Sequence, residues 1–113
     1  MPKRFRLHQR SAIQRVRQHG HVCRHPQAIL LFHENEQDIS RFGFSASRRV
    51  GNAVARNRAK RLLRESTRHQ LPLIKPGWDC LLIARPLTPN SSYHEIEKAI
   101  NQLFLRAKLL KIG

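Results

Sequence analysis

A dense run of cationic side chains lies between residues 48 and 68 of the sequence. Eight Lys or Arg residues occur there against a single acid, Glu65. Guanidinium and ammonium groups bind phosphate through charge-assisted hydrogen bonds, and a guanidinium can form two such bonds in parallel. Gly51 breaks the chain inside this run, and Asn52 can cap a helix that begins after it. Because the free amide groups at a helix N-terminus also attract phosphate, the segment predicts a surface that binds a polyanion.

The residues after Asn52 have the period of an amphipathic helix. At 100° per residue, one side is built from Ala55, Ala59, Leu62, Leu63 and Ser66. The opposite side carries Asn57, Lys60, Arg61, Arg64 and Arg68. Like charges four residues apart destabilise a bare helix by a few tenths of a kcal/mol each, about 0.2–0.5. A polyanion would reverse that penalty, whereas an ordinary solvated helix face would interleave acids with its cations.

The whole composition points to the same partner. The chain has 113 residues, with 22 Lys plus Arg against 7 Asp plus Glu and a formal net charge of +15. The first 33 residues hold seven of these cations and no acid. An apolar fraction of 40% still permits a core, which argues against a disordered basic tail. We therefore expect a nucleic acid as partner, with a basic enzyme and a membrane-surface binder as the alternatives.

Targeting and redox signals are few. No apolar run approaches the roughly 18 residues of a membrane span, and residues 1–10 lack the apolar stretch of a signal peptide. Cys23 and Cys80 are the only cysteines and lie far apart in the sequence. A disulfide framework is therefore not expected, and the sequence favours a cytoplasmic protein.

The histidines raise two rival hypotheses about chemistry. His19, His21, Cys23 and His25 alternate along one stretch, so a strand would bring the last three to one face, as a transition-metal site requires. Their spacing matches no standard zinc signature. A ribonuclease could instead use two imidazoles as base and acid. The remaining histidines stand in no recognisable frame for that purpose: His8, His33, His69 and His94. We therefore expect no catalytic residue in the protein and assign no metal site, although the sequence leaves open whether the protein itself binds a metal ion.

Periodicity and capping signals predict the elements that position these groups. Ser11 with Gln14 reads as a capping box for a first helix that ends at Gly20, and Ser92 with Glu95 reads as the capping box of the last helix. Strands are predicted near residues 21–25, 28–32, 41–47 and 78–85, and the basic helix over 53–69. The expected order is α-β-β-β-α-β-α, a single α/β domain of the α+β type folded as a two-layer sandwich over residues 1–113. Residues 1–8 could form a flexible basic extension.

One ordered set of motifs resembles a known family. The segments Arg56-Asn57-Arg58, Lys60-Arg61 and Arg64-Glu65 are similar to the signature of the bacterial ribonuclease P protein component. The matching flanks are Phe42-Gly43-Phe44-Ser45, Arg48-Arg49, Gly51-Asn52-Ala53-Val54, Arg6-Leu7, His19-Gly20, Asp79 and Ala84-Arg85. The resemblance spans most of the chain and is densest from residue 43 to 65.

The resemblance implies a fold and a division of labour. The fold would contain a left-handed βαβ crossover like that of a ribosomal-protein domain, although right-handed crossovers are the rule. The RNA subunit, with bound magnesium, would cut the 5′ leader from precursor tRNA, and the protein alone would not cut. The residues that would contact RNA are Arg48, Arg49, Arg56, Asn57, Arg58, Lys60, Arg61, Arg64 and Arg68.

The resemblance also implies a cleft that holds the single-stranded leader between the sheet and the first helix. The family often places two aromatic residues on that helix, one turn apart, but this sequence has Ile13 and Arg17 there. The facing strand positions are Ile29 and Leu31. Because aromatic stacking contributes roughly 1–3 kcal/mol per base, this cleft should depend more on apolar contact and on the charge of Arg17. Ile13, Ile29 and Leu31 could equally be ordinary core residues.

The sequence thus predicts a protein subunit of ribonuclease P whose partners are the catalytic RNA and precursor tRNA, with no membrane and no obligatory protein partner. Magnesium is expected mainly on the RNA. A ribosomal or other structural RNA-binding protein is the alternative, and it would need no single-strand cleft. A protein-only metal nuclease would need clustered carboxylates, whereas the seven acids here are dispersed. The sequence leaves open the oligomeric state, the leader preference and the role of the His19–His25 stretch.

Overall fold

The computed structural model describes residues 1–111 as one four-stranded sheet with three α-helices. The element order is the predicted one. The elements are α1 (Arg10–His19), β1 (His21–His25), β2 (Ala28–Glu34), β3 (Arg41–Ser45), α2 (Ala53–Gln70), β4 (Trp78–Ala84) and α3 (Tyr93–Arg106). Short 3-10 turns precede α1, α2 and α3, and another follows α2.

The strands lie in the order β1-β2-β4-β3. β1 pairs with β2, and β2 with β4, in antiparallel fashion, while β3 and β4 are parallel. Because β3 and β4 are parallel neighbours, the chain must cross between them, and α2 is that crossover. β2 and β4 occupy the centre of the sheet, with helices packed on both faces and α1 covering its face only in part, which explains their nearly continuous apolar sequences.

The two faces of the sheet bury different cores. Even-numbered residues of β2 and β4, such as Leu30 and Leu82, face α2 and α3 and form the larger core with Leu63, Ile100 and Phe104. This sheet and helix pair make the predicted two-layer sandwich. Helix α1 packs on the other face, where a smaller core is built from Leu7, Ala12, Val16 and Leu81. The first helix is thereby placed beside an otherwise open sheet surface.

The helix caps are set by local sequence, with one exception. The Asn52 side chain accepts a hydrogen bond from the Ala55 amide at 2.9 Å, and Ser92 with Glu95 forms the reciprocal capping box. Both predictions are confirmed. The predicted cap at Ser11 is wrong, because α1 begins at Arg10 after Gln9, and no side chain caps it. Gln9 keeps the extended backbone that precedes the helix, so Ser11 already lies in the first turn.

The residues before α1 cover the exposed edge of β3. Arg6 pairs with Phe42 in parallel, and the Leu7 amide donates to the Phe42 carbonyl at 2.8 Å. Leu7 is buried in the smaller core. Gly43 permits this approach, because a Cβ there would lie 3.1 Å from the Leu7 carbonyl oxygen and 3.2 Å from Leu81 Cδ1. Residues 6 and 7 thus act as a short extra strand at an edge that would otherwise be unpaired.

A buried ion pair joins β3 to β4 at the opposite end of the sheet from Ser45. Arg41 donates from Nε and Nη2 to the two carboxylate oxygens of Asp79, at 2.8 and 2.7 Å. Asn35 Nδ2 donates to the same carboxylate at 3.0 Å. The side chain of Asp79 is only 3% exposed, so these three donors replace the water that the carboxylate loses on folding.

Candidate nucleic-acid interface

The solvent-facing side of α2 is cationic over its whole length. Asn57, Arg61 and Arg68 are exposed, and Lys60 and Arg64 are half-buried. Ala59, Leu63, Ser66, Thr67 and Gln70 are buried against the sheet and α3. The predicted division of this helix into an apolar and a basic side is confirmed.

The cationic side chains on this face differ in the contacts that they make with other residues of the protein. Arg64 places its guanidinium carbon 5.7 Å from the centre of the Phe44 ring, which holds the charge at the β3 margin. Arg68 pairs with Glu65 at 2.9 Å, and its hydrogen bond lowers the pKa of that carboxyl. Within residues 1–111, no salt bridge involves Lys60 or Arg61. These two side chains therefore carry the least compensated charge on the face.

The two arginines that flank Asn57 contact the protein backbone. Arg56 Nη1 donates to the Gly51 carbonyl at 2.9 Å and so fixes the turn before α2. Arg58 Nε donates to the Pro89 carbonyl at 2.8 Å and ties the helix to the loop before α3. Each guanidinium has five N–H donors, so donors remain for a ligand. Sequence reasoning grouped both with the RNA contacts and did not predict their backbone partners.

The turn before α2 directs further groups toward solvent. Arg48 and Arg49 are exposed on a 3-10 turn, and Gly51 follows with φ +142°, a conformation that L side chains rarely adopt. Val54, in the first turn of α2, is 77% exposed, the highest value among the exposed large hydrophobic residues. The positive end of the helix is therefore flanked by two arginines and an apolar side chain.

One row of the sheet remains open beside α1. Cross-strand pairing aligns Arg24, Ile29, Ile83 and Ser45 across all four strands, on the face that α1 partly covers. Ile29 and Ile83 are half-buried and Arg24 is exposed. Arg17 reaches from α1 to this row, with Nη2 3.5 Å from Ser45 Oγ. The row is an apolar floor with a cation at each end.

The four residues expected in the cleft divide between two roles. Ile13 and Leu31 pack against the smaller core, in the way expected of ordinary core residues. Ile29 belongs to neither core cluster and lies on the open row, and Arg17 borders it. The structure thus brings Arg17 and Ile29 to the same surface, while Ile13 and Leu31 support it from the side.

The alternating histidines of β1 have structural contacts. The His21 ring packs on Phe32 with 5.3 Å between centroids, Cys23 packs against the larger core, and His25 Nδ1 accepts from the Gln27 amide at 3.2 Å. Residues 1–111 contain no group of three His, Cys, Asp or Glu side chains arranged to hold a metal ion. Cys80 is fully buried, and burial raises the pKa of its thiol.

Four basic residues of the surface were not predicted as site residues from the sequence. Arg85 Nη1 donates to the His25 carbonyl at 3.2 Å, and Arg106 donates to the Arg24 carbonyl, so both lie beside the open row. Arg6 and His8 project from the segment that covers β3. The acid-free character of the first 33 residues was the available signal for the last two. The first two depend on contacts that only the folded chain creates.

Sequence comparison places the chain among known proteins. The family model described as Ribonuclease P matches residues 1–108. The ribonuclease P protein component of Oceanobacillus iheyensis is 38% identical over 112 residues, covering 98% of this chain and 93% of that protein. The corresponding protein of Bacillus velezensis is 36% identical over 112 residues, covering 98% and 96%. No helix within residues 1–111 is long and apolar enough to cross a membrane.

Structural comparison agrees with the sequence comparison. The ribonuclease P protein of Staphylococcus aureus superposes with a TM-score of 0.84 at 29% identity, covering 95% of this chain and 98% of that one. The protein from Thermotoga maritima gives 0.76 at 29% identity, covering 87% and 94%. These matches decide against the alternative of a ribosomal protein. The chain belongs to the ribonuclease P protein family and is the protein subunit of that ribonucleoprotein endoribonuclease.

Proposed function

We propose that this subunit docks on the catalytic RNA through the exposed side of α2 and holds the 5′ leader of precursor tRNA on the open row of the sheet. The observation that carries the proposal is the α2 surface, where the cations outnumber the single acid and two of them, Lys60 and Arg61, form no salt bridge within residues 1–111. The leader site rests on the apolar row and on Arg17 beside it.

The α2 surface suits a folded RNA. Side chains at positions 57, 61, 64 and 68 follow one another at steps of three or four residues, so one amide and three cations are presented along about 16 Å of helix at 1.5 Å per residue. Each phosphate that such a side chain neutralises releases counterions, and this release supplies most of the sequence-independent affinity. Because Lys60 and Arg61 form no salt bridge with any described residue, they should contribute most to docking.

The open row suits a single strand. An extended strand presents bases and backbone together, and the row offers Ile29 and Ile83 for bases with Arg17 and Arg24 for phosphates. No aromatic ring lies on this row, so stacking on an aromatic side chain contributes nothing here. The guanidinium of Arg17 can still stack on a base or pair with a phosphate.

The cleavage chemistry is assigned to the RNA. Hydrolysis of one phosphodiester bond by in-line displacement needs magnesium ligands, which we place on the RNA subunit. Four of the seven carboxylates have partners in the protein: Glu65 with Arg68, Asp79 with Arg41, Glu95 with the Ser92 amide and Glu97 with the Tyr93 hydroxyl. Among residues 1–111, no three His, Cys, Asp or Glu side chains are arranged to hold a metal ion. The protein contributes positive charge that offsets phosphate repulsion, and so favours magnesium binding indirectly.

The leader site is tested by charge reversal on α1. Arg17→Glu should weaken binding of precursor tRNA to the reconstituted holoenzyme more than binding of mature tRNA, because only the precursor carries a leader. Arg15→Glu is the matched control, since Arg15 is also exposed on α1 but is two residues, or 200°, away around the helix. The measurement is the dissociation constant for mature tRNA divided by the dissociation constant for precursor tRNA, with both determined in one buffer at fixed salt.

The ratio should fall about tenfold for the Arg17 variant, the equivalent of about 1.4 kcal/mol. It should stay near the parental value for the Arg15 variant. If Arg17→Glu weakens precursor and mature tRNA equally, Arg17 belongs to a general RNA-docking surface and does not line a leader site.

A further inference from the structure

A groove that is separate from the open row lies at the β3 edge of the sheet, next to α2. It has a volume of about 330 Å³, and the side chains that matter here are Met1, Arg6, His8, Phe44 and Arg64. This volume is at the lower end of the range for ligand pockets, about 300–1,000 Å³. One wall comes from the segment before α1 and the other from α2.

The groove is cationic on both walls. Arg6 and His8 stand on the N-terminal wall, and Arg64 stands on the α2 wall above the Phe44 ring. None of the side chains that line it is acidic. Two guanidinium groups that face one cavity repel each other, and an anion between them would remove that repulsion. Phe44 and Met1 add an apolar surface next to the charges.

The N-terminal wall is fixed by the fold. Arg6 is paired with Phe42, and the Leu7 amide is bonded to the same residue at 2.8 Å. Leu7 is anchored in the smaller core, in a close approach that the missing side chain of Gly43 favours. Because the backbone on either side of Arg6 is held in this way, the guanidinium is presented from a defined position.

We infer that this groove binds one unpaired nucleotide of the RNA subunit, with its phosphate between Arg6 and Arg64 and its ribose or base against Met1 and Phe44. The inference rests on the proposed docking of α2 on that RNA. It extends the contact surface from α2 around the β3 edge to the N-terminal segment.

The RNA subunit is the favoured source of the nucleotide because of where the groove opens. Phe44 packs toward the larger core, on the face that α2 covers, whereas Ile29 and Ile83 lie on the opposite face of the sheet. A leader held on the open row would therefore pass on the other side of the sheet. Arg64, in contrast, belongs to the same helix surface as Arg61 and Lys60.

The test compares two arginines of the same short segment. Arg6→Ala removes a groove cation, while Arg4→Ala removes one that stacks on the Phe5 ring at 4.8 Å and does not line the groove. Dissociation constants for the RNA subunit alone are measured over a range of salt concentrations. Arg6→Ala should weaken binding about tenfold and make the salt dependence shallower by a little under one unit. Arg4→Ala should change the affinity no more than about twofold.

Two further measurements separate the possible failures. Both side chains are exposed, so thermal unfolding should be unchanged in both variants, and Arg6→Lys should recover part of the lost affinity because it restores the charge without the planar fork. Equal losses of affinity for the RNA subunit in Arg6→Ala and Arg4→Ala would show that the groove does not bind a nucleotide of that RNA. A loss of affinity in Arg6→Ala that is seen only for precursor tRNA, and not for the RNA subunit, would contradict the inference as well. If the parent protein itself fails to bind the RNA subunit, the proposed function fails and not the groove alone.

Discussion

Individual arginines in this protein differ in their partners, and three kinds matter most for the fold and the surface: a carboxylate, a backbone carbonyl and solvent. Arg41 is bound by the Asp79 carboxylate, Arg56 and Arg58 by carbonyl oxygens, and Arg61 projects from α2 into solvent. The first kind stabilises the fold, the second positions loops, and the third is available for RNA. Residue type alone does not separate these roles, because the same guanidinium serves all of them.

The role of Arg41 leads to a prediction about stability. Asp79→Asn keeps the shape of the side chain but removes the charge that compensates a guanidinium only 16% exposed. Breaking such a pair by changing one partner leaves the other charge buried, so the free energy of unfolding should fall by about 3 kcal/mol. Urea unfolding monitored by circular dichroism measures the change. Asp38→Asn, at an exposed acid, is the control and should stay within about 0.5 kcal/mol of the parent. An equal stability for the Asp79 variant would show that the ion pair does not stabilise the sheet.

Sequence predicts well what is decided within a few residues. The caps at Asn52 and Ser92 were predicted because each depends on an amide three positions away. The partners of Arg58 and Arg41, a backbone carbonyl and a carboxylate, were not, since Pro89 and Asp79 are separated from them by 31 and 38 positions. Those contacts exist only after α2 has crossed the sheet.

Helix α2 has a structural role on one side and carries the exposed cations on the other. The helix is the crossover that joins β3 to β4, and its buried side packs against the sheet. Its exposed side carries the cations. The sequence predicted both sides, since a period of 3.6 residues is visible in a helix of this length. The start of α1 was harder to predict, because Leu7 and Phe42 fix the path of the chain before the helix and no capping side chain marks its first turn.

The exposed side of α2 leads to a prediction about RNA binding. Changing Lys60 and Arg61 together to Ala should weaken binding to the RNA subunit, because neither charge forms a salt bridge in the described part of the chain. The salt dependence should become shallower by a little under one unit for each lost phosphate contact. Ala is a good helix former, so thermal stability should be nearly unchanged.

The matched control replaces two exposed lysines elsewhere, Lys98 and Lys108, with Ala. It removes the same net charge from the region of α3. If the control variant loses as much affinity and as much salt dependence as the α2 variant, the interaction depends on overall charge, and α2 has no special role in docking.

In the molecule as a whole, the open row lies on a different face from the cationic α2 surface and the groove. The α1 face of the sheet carries the open row, and α2 with the β3 edge carries the cationic surface and the groove. The sequence placed the chain in the right fold and family because its motifs are ordered along most of its length. It could not show that α1 and the α2–α3 pair cover opposite faces, since this depends on how the two cores form.

The central claim is that the protein assists an RNA catalyst and does not cut. The most direct test is release of the 5′ leader from precursor tRNA at low magnesium, with the protein alone, the RNA subunit alone, and both together. The account predicts no specific cleavage by the protein, slow cleavage by the RNA, and much faster cleavage by the pair, with the gain reduced when Lys60 and Arg61 are both Ala. Specific leader release by the protein alone, persisting after contaminating RNA has been digested, would contradict it. So would a pair that is no faster than the RNA subunit.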